Sequence, residues 1–179
     1  IANTFLSARG VSVGRSLVEE ELGDRALEIE KKIKEKGGSC PLPEDVLCSR
    51  EVEENASVEI KNVDKILDYE MILDIGPKTI EKYKKILKEA GTIVWNGPLG
   101  VFELDQFAEG TKNVAESIES SQAFSIAGGG DTLAAINKFG VKKVDYISTA
   151  GGAFLEFLEG KTLPALAALN SRGRAGALK

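Results

Sequence analysis

The sequence of 179 residues contains no histidine, only two cysteines, and no apolar run long enough to cross a bilayer. Without histidine, the Ser-His-Asp and Cys-His arrangements of nucleophilic catalysis are excluded, and so are the usual zinc sites. Cys40 and Cys48 match neither a metal-binding motif nor a redox Cys-x-x-Cys pair, which favours two reduced structural cysteines in a cytosolic protein. The chemistry that remains depends on positioning, backbone dipoles, lysines and carboxylates, and phosphoryl transfer is compatible with those limits.

The charge balance restricts the class of partner. With 23 Lys and Arg against 28 Asp and Glu, the formal net charge is -5, which argues against a general affinity for nucleic acid. The first residues carry neither the basic nor the sustained apolar segment of a secretory signal, so we expect no membrane partner and a cytoplasmic location. Apolar residues make up 42% of the sequence, enough for one ordinary globular domain.

Candidate strands alternate with candidate helices along most of the chain. This alternation predicts an α/β fold with a doubly wound, Rossmann-like parallel sheet in three αβα layers, where ligands bind beyond the carboxyl ends of the strands. The first helix lacks the strand that should precede it, so we expect the sheet to lack its first one or two strands. The predicted strands are 45–49, 58–61, 71–75, 92–95, 123–127 and 145–148, with a further extended segment at 39–42; the main predicted helices are 1–8, 16–36, 77–90, 111–118 and 163–169.

The most informative stretch is 123–136, AFSIAGGGDTLAAI, a short buried strand followed by three glycines and a helix that Asp131 and Thr132 open. The glycines would let a bulky anion approach the backbone closely, and the helix N-terminus adds partial positive charge. Asp131 is placed to face a cation that accompanies phosphates, for which Mg²⁺ is the obvious candidate. The alternative is a tight strand-to-helix turn in which Asp131 is a simple N-cap.

A second glycine-rich loop, 96–103, directly follows the strand 92–95 and suits a nucleoside. Its glycines and proline would form a rigid wall for a flat ring, two apolar side chains would extend that wall, and Glu103 could accept hydrogen bonds from vicinal hydroxyls. Alternatively, the two apolar side chains belong to the core and Glu103 caps a helix, while Asn96 either binds a phosphate or closes the turn. The residues of this loop that carry these arguments are Asn96, Gly97, Pro98, Gly100, Val101, Phe102 and Glu103.

A third loop, 149–153, places a hydroxyl and the pair Gly151 and Gly152 before a helix. Such a segment offers N–H donors to an anion, and donors that are fixed before a reaction stabilise a transferring phosphoryl group without reorganising. The alternative is an ordinary helix N-cap at Thr149. One such loop could be a simple turn, but three at one edge of a sheet favour a binding site.

These motifs resemble the C-terminal, nucleotide-binding domain of phosphoglycerate kinase of the bacterial type. The segment 94–103 is similar to the nucleoside loop of that family, and 127–132 is similar to its Mg-nucleotide phosphate loop. The segments 74–79 and 151–156 are similar to two further signature stretches. Residues 1 to about 169 align in order with that domain, and 170–179 form a tail of unknown origin.

The resemblance implies reversible phosphoryl transfer in glycolysis, between 1,3-bisphosphoglycerate and Mg·ADP, giving 3-phosphoglycerate and ATP. It also implies roles for individual residues. Gly129, Gly130 and Thr132 would hold the nucleotide phosphates, with Asn96 beside the phosphate chain and Asp131 binding Mg²⁺. The nucleoside would lie on the loop that contains Gly97, Pro98 and Val101, and Glu103 would bind the ribose hydroxyls. Gly151 and Gly152 would bind the phosphoryl group in transfer.

Two parts of the family's pattern are missing from this sequence. The family has a preceding strand with a Gly-Ala-Lys segment whose lysines contact phosphate, and an N-terminal domain whose basic patch binds the phosphoglycerate. We therefore expect a fragment or one piece of a two-domain enzyme that is monomeric when complete, and we expect these residues to be inactive alone. The alternative is an adenine-nucleotide or partner-binding module without catalysis. A dinucleotide-dependent oxidoreductase ranks last, because 128–131 lacks the Gly-x-Gly-x-x-Gly spacing.

Overall fold

The computed structural model describes residues 1–148 and 151–176. Within those residues, no helix is both long and apolar enough to cross a membrane. The elements in chain order are α1 (Ala2–Ala8), α2 (Gly23–Glu35), β1 (Asp45–Ser49), β2 (Glu59–Asn62), β3 (Met71–Ile75), α3 (Pro77–Glu89), β4 (Thr92–Trp95), α4 (Glu109–Ser120), β5 (Phe124–Gly128), α5 (Gly130–Phe139), β6 (Tyr146–Ser148), α6 (Gly151–Leu158) and α7 (Pro164–Gly176), with 3₁₀ turns at Glu20–Leu22, Val63–Lys65 and Asp105–Phe107.

The strands form two sheets of different type. β4, β5 and β6 lie side by side in a parallel sheet with β5 in the middle. β2, β1 and β3 form an antiparallel sheet with β1 in the middle. The predicted α/β class with a parallel sheet is confirmed. The antiparallel sheet departs from the prediction, because the order of elements along a chain does not determine the direction in which neighbouring strands pair.

The helix predicted over 16–36 is shorter in the structure, where α2 begins at Gly23 and packs against α1. Ser16 does not cap a helix, because its hydroxyl accepts a hydrogen bond from Ile72 N–H over 2.8 Å. The neighbouring Arg15 N–H donates to the Glu70 carbonyl over 2.7 Å. These tertiary hydrogen bonds hold the segment against the start of β3, and they use the groups that a helix would need.

Two further segments of the chain also differ from the prediction. The extended segment predicted at 39–42 is a loop rather than a strand. The helix predicted over 163–169 continues as α7 to Gly176 and so includes most of the tail. Residues 177–179 of that tail lie outside the described part of the chain.

The main hydrophobic core lies where β4 and β5 meet α4 and α5. Tyr83 and Leu87 of α3 pack against it from the side. The core therefore fixes the two strands whose ends carry the loops 96–103 and 128–130. Its buried members are Ile93, Trp95, Phe102, Ala108, Val114, Ala115, Ile118, Ala123, Ala127, Ala135 and Ile136.

A buried carboxylate of β1 caps the N-terminus of α3. Asp45 and Thr79 are both nearly inaccessible to solvent, at 1% and 0% exposure. Asp45 Oδ1 accepts hydrogen bonds from Thr79 N–H over 2.8 Å and from Thr79 Oγ1 over 2.7 Å, and Oδ2 accepts one from Lys78 N–H over 3.0 Å. α3 begins with Pro77, which has no N–H to satisfy. The donors of the first turn are thus paired by a strand distant in sequence rather than by a local cap.

We expect Thr79→Val to lower the free energy of unfolding by about 2 to 3 kcal/mol, because it leaves buried polar groups without a partner. The Thr79 hydroxyl also accepts hydrogen bonds from Glu44 N–H and Asp45 N–H, over 3.0 and 3.1 Å. Urea unfolding at neutral pH measures the change. Thr92→Val, at an exposed position of β4, is the control and should change the free energy by less than about 0.5 kcal/mol. Equal effects of the two substitutions would contradict this role for Thr79.

Candidate functional site

The carboxyl ends of β4, β5 and β6 lie at one edge of the parallel sheet. β4 leads into the loop 96–103, β5 into the loop 128–130, and β6 toward the N-terminus of α6. Because β5 lies between the other two strands, its loop is flanked on both sides. The strand ends therefore come together as predicted. Thr149, which the sequence analysis considered as a helix N-cap, lies outside the described residues, as does Ala150.

The loop 128–130 joins β5 to α5 through a conformation that favours glycine, since Gly129 has φ of 95°. The N–H groups of Gly130, Asp131 and Thr132 form the first turn of α5. The first bond of the helical ladder runs from Leu133 N–H to the Gly129 carbonyl, over 3.1 Å. The three preceding N–H groups thus have no partner within the helix, and they lie at its positive end. This is the arrangement with which helices bind phosphate.

Asp131 is exposed at the second position of α5. The N-cap residue is Gly129, and no side-chain hydrogen bond caps the helix, so the alternative in which Asp131 is a simple N-cap is wrong. Among the residues that the structure describes, no group of three His, Cys, Asp or Glu could hold a metal ion. A cation at Asp131 would therefore take its other ligands from water or from a bound anion. Mg²⁺ fits this arrangement, because it binds to one or two carboxylates together with substrate phosphates.

A hydrogen bond joins the loops 96–103 and 128–130. Gly97 N–H donates to Thr132 Oγ1 over 2.6 Å, and Thr132 is fully buried. A β-carbon on Gly129 would lie 3.3 Å from Asn96 Oδ1, so the Asn96 amide lies directly against the neighbouring loop. The Thr132 hydroxyl thus serves the contact between the loops, and the 0% exposure of the residue includes its backbone N–H.

The loop 96–103 is held to the domain by further hydrogen bonds. Leu99 N–H donates to the hydroxyl of the fully buried Thr111 over 3.1 Å. Val101 N–H donates to the Leu73 carbonyl over 2.9 Å. Pro98 and Val101 remain half-buried. The loop is therefore fixed before any ligand binds, with part of its apolar surface accessible.

Phe102 and Glu103 lie in opposite environments although they are adjacent. Phe102 is 4% exposed and belongs to the main core, which confirms the alternative that this side chain is structural and offers no surface to a ligand. Glu103 is exposed. The next two helical elements, the 3₁₀ turn Asp105–Phe107 and α4, have no side-chain cap, so the alternative in which Glu103 caps a helix is wrong. Its carboxylate is directed to solvent beside the half-buried loop.

The N-terminus of α6 lies next to the end of β5. A β-carbon on Gly128 would come within 2.5 Å of Phe154 Cδ1 in α6, so the helix packs directly on the strand. α6 begins at Gly151. Gly152 is exposed, and a β-carbon there would meet no atom within 4 Å. The structure thus places Gly151 and Gly152 at the same edge as Gly129, with open space beside Gly152.

A buried carboxylate supports the loop 96–103 from the side of β3. Asp74 is 1% exposed and accepts hydrogen bonds from Ile75 N–H over 2.8 Å and Gly110 N–H over 2.7 Å. A β-carbon on Gly100 or Gly110 would collide with Asp74 Oδ1, so glycine is required at both positions for this close approach. Burial raises the pKa of Asp74 to about 6, against the opposite effect of the two N–H donors.

Two residues that hold the loop 96–103 were not identified by the sequence analysis. Thr111 binds Leu99 N–H, and Lys138 in the last turn of α5 contacts the segment after Phe102. Helix N-termini often contain threonine and helix C-termini often contain lysine. Neither residue could therefore be recognised from the sequence as a contact of the loop 96–103, because each residue type is also common at its position for reasons local to the helix.

The parallel sheet with helices and glycine-rich segments at its carboxyl edge defines an α/β domain of the class in which ligands bind beyond the carboxyl ends of the strands. A family model described as phosphoglycerate kinase matches residues 1–161. The structure of phosphoglycerate kinase from Coxiella burnetii is similar, with 52% sequence identity and a TM-score of 0.92 over 96% of this chain and 44% of that one. Phosphoglycerate kinase from Pyrococcus horikoshii OT3 is 35% identical, with a TM-score of 0.78 over 94% of this chain and 43% of that one. The chain belongs to the phosphoglycerate kinase family, and it spans less than half of the length of these two relatives.

We compare the free energy of unfolding of the wild-type chain with that of Asp74→Asn. We expect the wild-type value minus the variant value to decrease as the pH rises from about 4 to about 6. The pKa of Asp74 is raised from 3.8 to about 6 in the folded state, so between these values the folded state holds a proton that the unfolded state has released. The difference between the two variants should change by about 3 kcal/mol.

Urea unfolding of both variants at intervals between pH 4 and pH 7 measures this difference. The asparagine variant does not titrate at this position, so the subtraction removes the contributions of all other carboxyl groups. A difference that is independent of pH would show that the pKa of Asp74 is not raised in the folded state.

Proposed function

We propose that this chain forms the nucleotide half-site of a phosphoglycerate kinase, which transfers a phosphoryl group reversibly between 1,3-bisphosphoglycerate and Mg·ADP to give 3-phosphoglycerate and ATP. In this reaction a terminal ADP oxygen bonds to phosphorus while the bond from phosphorus to the acyl oxygen breaks, and a carboxylate leaves. The observation that carries the proposal is the N-terminus of α5, where N–H groups without a partner in the helix adjoin the exposed Asp131. Family membership supports the reaction class.

The phosphates of the nucleotide would lie at the N-terminus of α5. The accessible N–H groups of the first helical turn, including that of Gly130, would donate to phosphate oxygens, and Gly129 permits the close approach. The side chain of Asn96, which lies against Gly129, would bind beside the phosphate chain. Mg²⁺ at Asp131 would neutralise part of the phosphate charge.

The nucleoside would lie along the loop 96–103. Gly97, Pro98 and Val101 would form its wall, and the fixed position of that loop supports such a role because little ordering is needed on binding. Glu103 would accept hydrogen bonds from the two ribose hydroxyls, for which an exposed carboxylate with two oxygens is suited.

The group in transfer would meet the N-terminus of α6. Gly151 and Gly152 would direct backbone N–H donors at the three phosphoryl oxygens, where negative charge is spread during transfer. The open space in front of Gly152 is compatible with a phosphoryl group at this position. The N–H donors of α5 would then bind the nucleotide phosphates, and those of α6 would bind the phosphoryl group, on the two sides of the new P–O bond.

The phosphoglycerate would be bound by a part of the enzyme beyond these residues. We infer this because the chain spans 44% of its Coxiella burnetii relative, and because an acyl phosphate must be oriented for in-line transfer. On this view the chain of 179 residues binds nucleotide but does not catalyse phosphoryl transfer by itself. A stand-alone adenine-nucleotide module is the second possibility, and it would be favoured if the full-length context also bound ADP without transferring phosphate.

We expect Asp131→Ala to remove the dependence of ADP binding on Mg²⁺. In the wild-type chain Mg²⁺ should tighten ADP binding, and the substitution should raise the Kd for Mg·ADP roughly tenfold because a carboxylate ligand of the metal is lost. Calorimetric titration with ADP, with and without Mg²⁺, measures both effects.

Asp68→Ala is the matched control, because Asp68 is also exposed but lies outside the site. It should bind Mg·ADP as the wild type does. Equal binding with and without Mg²⁺ in both the wild type and the Asp131 variant would remove this role for Asp131. Circular dichroism of each variant should show an unchanged fold, because the Asp131 side chain is exposed and does not cap α5.

We further expect the chain alone to form no ADP above background from ATP and 3-phosphoglycerate, although it binds nucleotide. The physical reason is that positioning of both substrates supplies much of the rate of phosphoryl transfer. A coupled assay of ADP release measures turnover, with a full-length phosphoglycerate kinase as the positive control. Turnover by the chain alone would show that these residues also bind and orient phosphoglycerate.

A further inference from the structure

Lys138 contacts the segment that contains Glu103 through three hydrogen bonds. Its ammonium nitrogen donates to the Phe102 carbonyl over 2.7 Å, to the Glu103 carbonyl over 3.1 Å and to Asp105 Oδ1 over 2.8 Å. An ammonium group has three donors, and all three are used here. The Lys138 side chain is 30% exposed, whereas that of Asp105 is 96% exposed. The contact to the Phe102 carbonyl is partly buried, whereas the contacts to the Glu103 carbonyl and to Asp105 are exposed.

The two carbonyl groups belong to the peptide units on either side of the Glu103 α-carbon. Two contacts to successive peptide units restrain the backbone dihedral angles of the residue between them, and those angles set the direction of its side chain. The Glu103 carboxylate itself is exposed. The direction of the Glu103 Cα–Cβ bond is thus restrained through the main chain, by a residue that does not contact the carboxylate.

The residue after Lys138 strengthens this contact. The Phe139 ring lies 6.3 Å from the Phe102 ring at an interplanar angle of 56°, which is a favourable arrangement for aromatic pairs. Phe102 is also part of the main core. The last turn of α5 therefore holds the segment before Glu103 through both apolar and polar contacts.

The same helix begins at the loop 128–130. α5 runs from Gly130 to Phe139 and is thus about 15 Å long. Its first turn carries the N–H donors, and its last turn holds Glu103. A single rigid element therefore determines the separation between the donors that suit phosphate and the carboxylate that suits a ribose.

We propose that Lys138 is a positioning residue for the nucleotide, which holds Glu103 at the distance and in the direction that the ribose requires when the phosphates lie on α5. This inference rests on the proposed function, because it takes the ligand to be a nucleoside phosphate. It makes the site selective for nucleoside phosphates over inorganic ones, since Lys138 acts on the nucleoside end alone.

The test compares Lys138→Met, which keeps the aliphatic stem but removes the ammonium group, with Lys138→Arg, which keeps donors. Lys82→Met is the matched control: the Lys82 side chain is 34% exposed and also joins a carboxylate to a carbonyl, donating to Glu44 over 2.7 Å and to the Leu42 carbonyl over 3.4 Å. Each variant is titrated with Mg·ADP and with magnesium pyrophosphate, which lacks the nucleoside. Hydrogen exchange without any ligand is measured on the same samples.

We expect Lys138→Met to raise the Kd for Mg·ADP about tenfold, the change expected from loss of charge-assisted hydrogen bonds, and to leave the Kd for pyrophosphate within about twofold. Lys138→Arg should restore most of the ADP affinity, and Lys82→Met should bind both ligands as the wild type does. Without ligand, the amides of Leu104 and Phe107, which are bonded to Val101 and Leu104, should exchange faster in Lys138→Met, while that of Leu133 should not.

Unchanged ADP affinity in Lys138→Met would overturn the inference, and so would equal losses for ADP and pyrophosphate, which would indicate a general effect on the domain. Unchanged exchange at Leu104 and Phe107 would show that Lys138 does not hold the loop. Failure of the wild-type chain to bind ADP would instead overturn the proposed function and the ligand named here, and the exchange data would still report separately on the contact between Lys138 and the loop.

Discussion

The hydrogen bond from Gly97 N–H to the Thr132 hydroxyl is the contact on which the geometry of the site depends. It joins the loops that follow two neighbouring parallel strands, where Trp95 of β4 lies opposite Ala127 of β5. Because Thr132 is fully buried, this bond does not compete with water and the hydroxyl is fixed. The wall that suits a nucleoside and the donors that suit phosphate are therefore held in one relative position by the fold itself.

Three aspartates show how burial separates a structural role from a ligand-binding one. Asp45 and Asp74 are each 1% exposed, and their oxygens accept N–H groups near the starts of α3 and α4. Asp131 also lies at the start of a helix, but it is exposed and does not cap α5. The oxygens of the two buried carboxylates are thus used in hydrogen bonds within the fold, whereas the carboxylate of Asp131 remains available to a cation. The residue type alone does not make this distinction, since all three are aspartates at or next to an end of a strand or helix.

Much of the fold could be predicted from the sequence where the signals are local. β3 and β4 have the predicted bounds 71–75 and 92–95, because short apolar runs there are followed by glycine and proline. The helix expected from Ser16 and the pairing direction of β1 to β3 could not be predicted, because both depend on contacts between distant segments. The same holds for the site. The glycines and Asp131 were identified from a local pattern, whereas the roles of Thr132 and Lys138 depend on partners about 35 residues away.

An acidic domain can bind a polyanion if the attraction is local rather than general. The net charge is -5, so the domain as a whole repels phosphate at long range. The charge of Lys138, in the same helix as the phosphate donors, is already used by Asp105 and two carbonyls. On the proposed function, the nucleotide would be attracted by backbone dipoles at the N-terminus of α5, together with a cation at Asp131. That attraction would act only close to the loop 128–130, because the effect of a helix dipole falls off within the first turn.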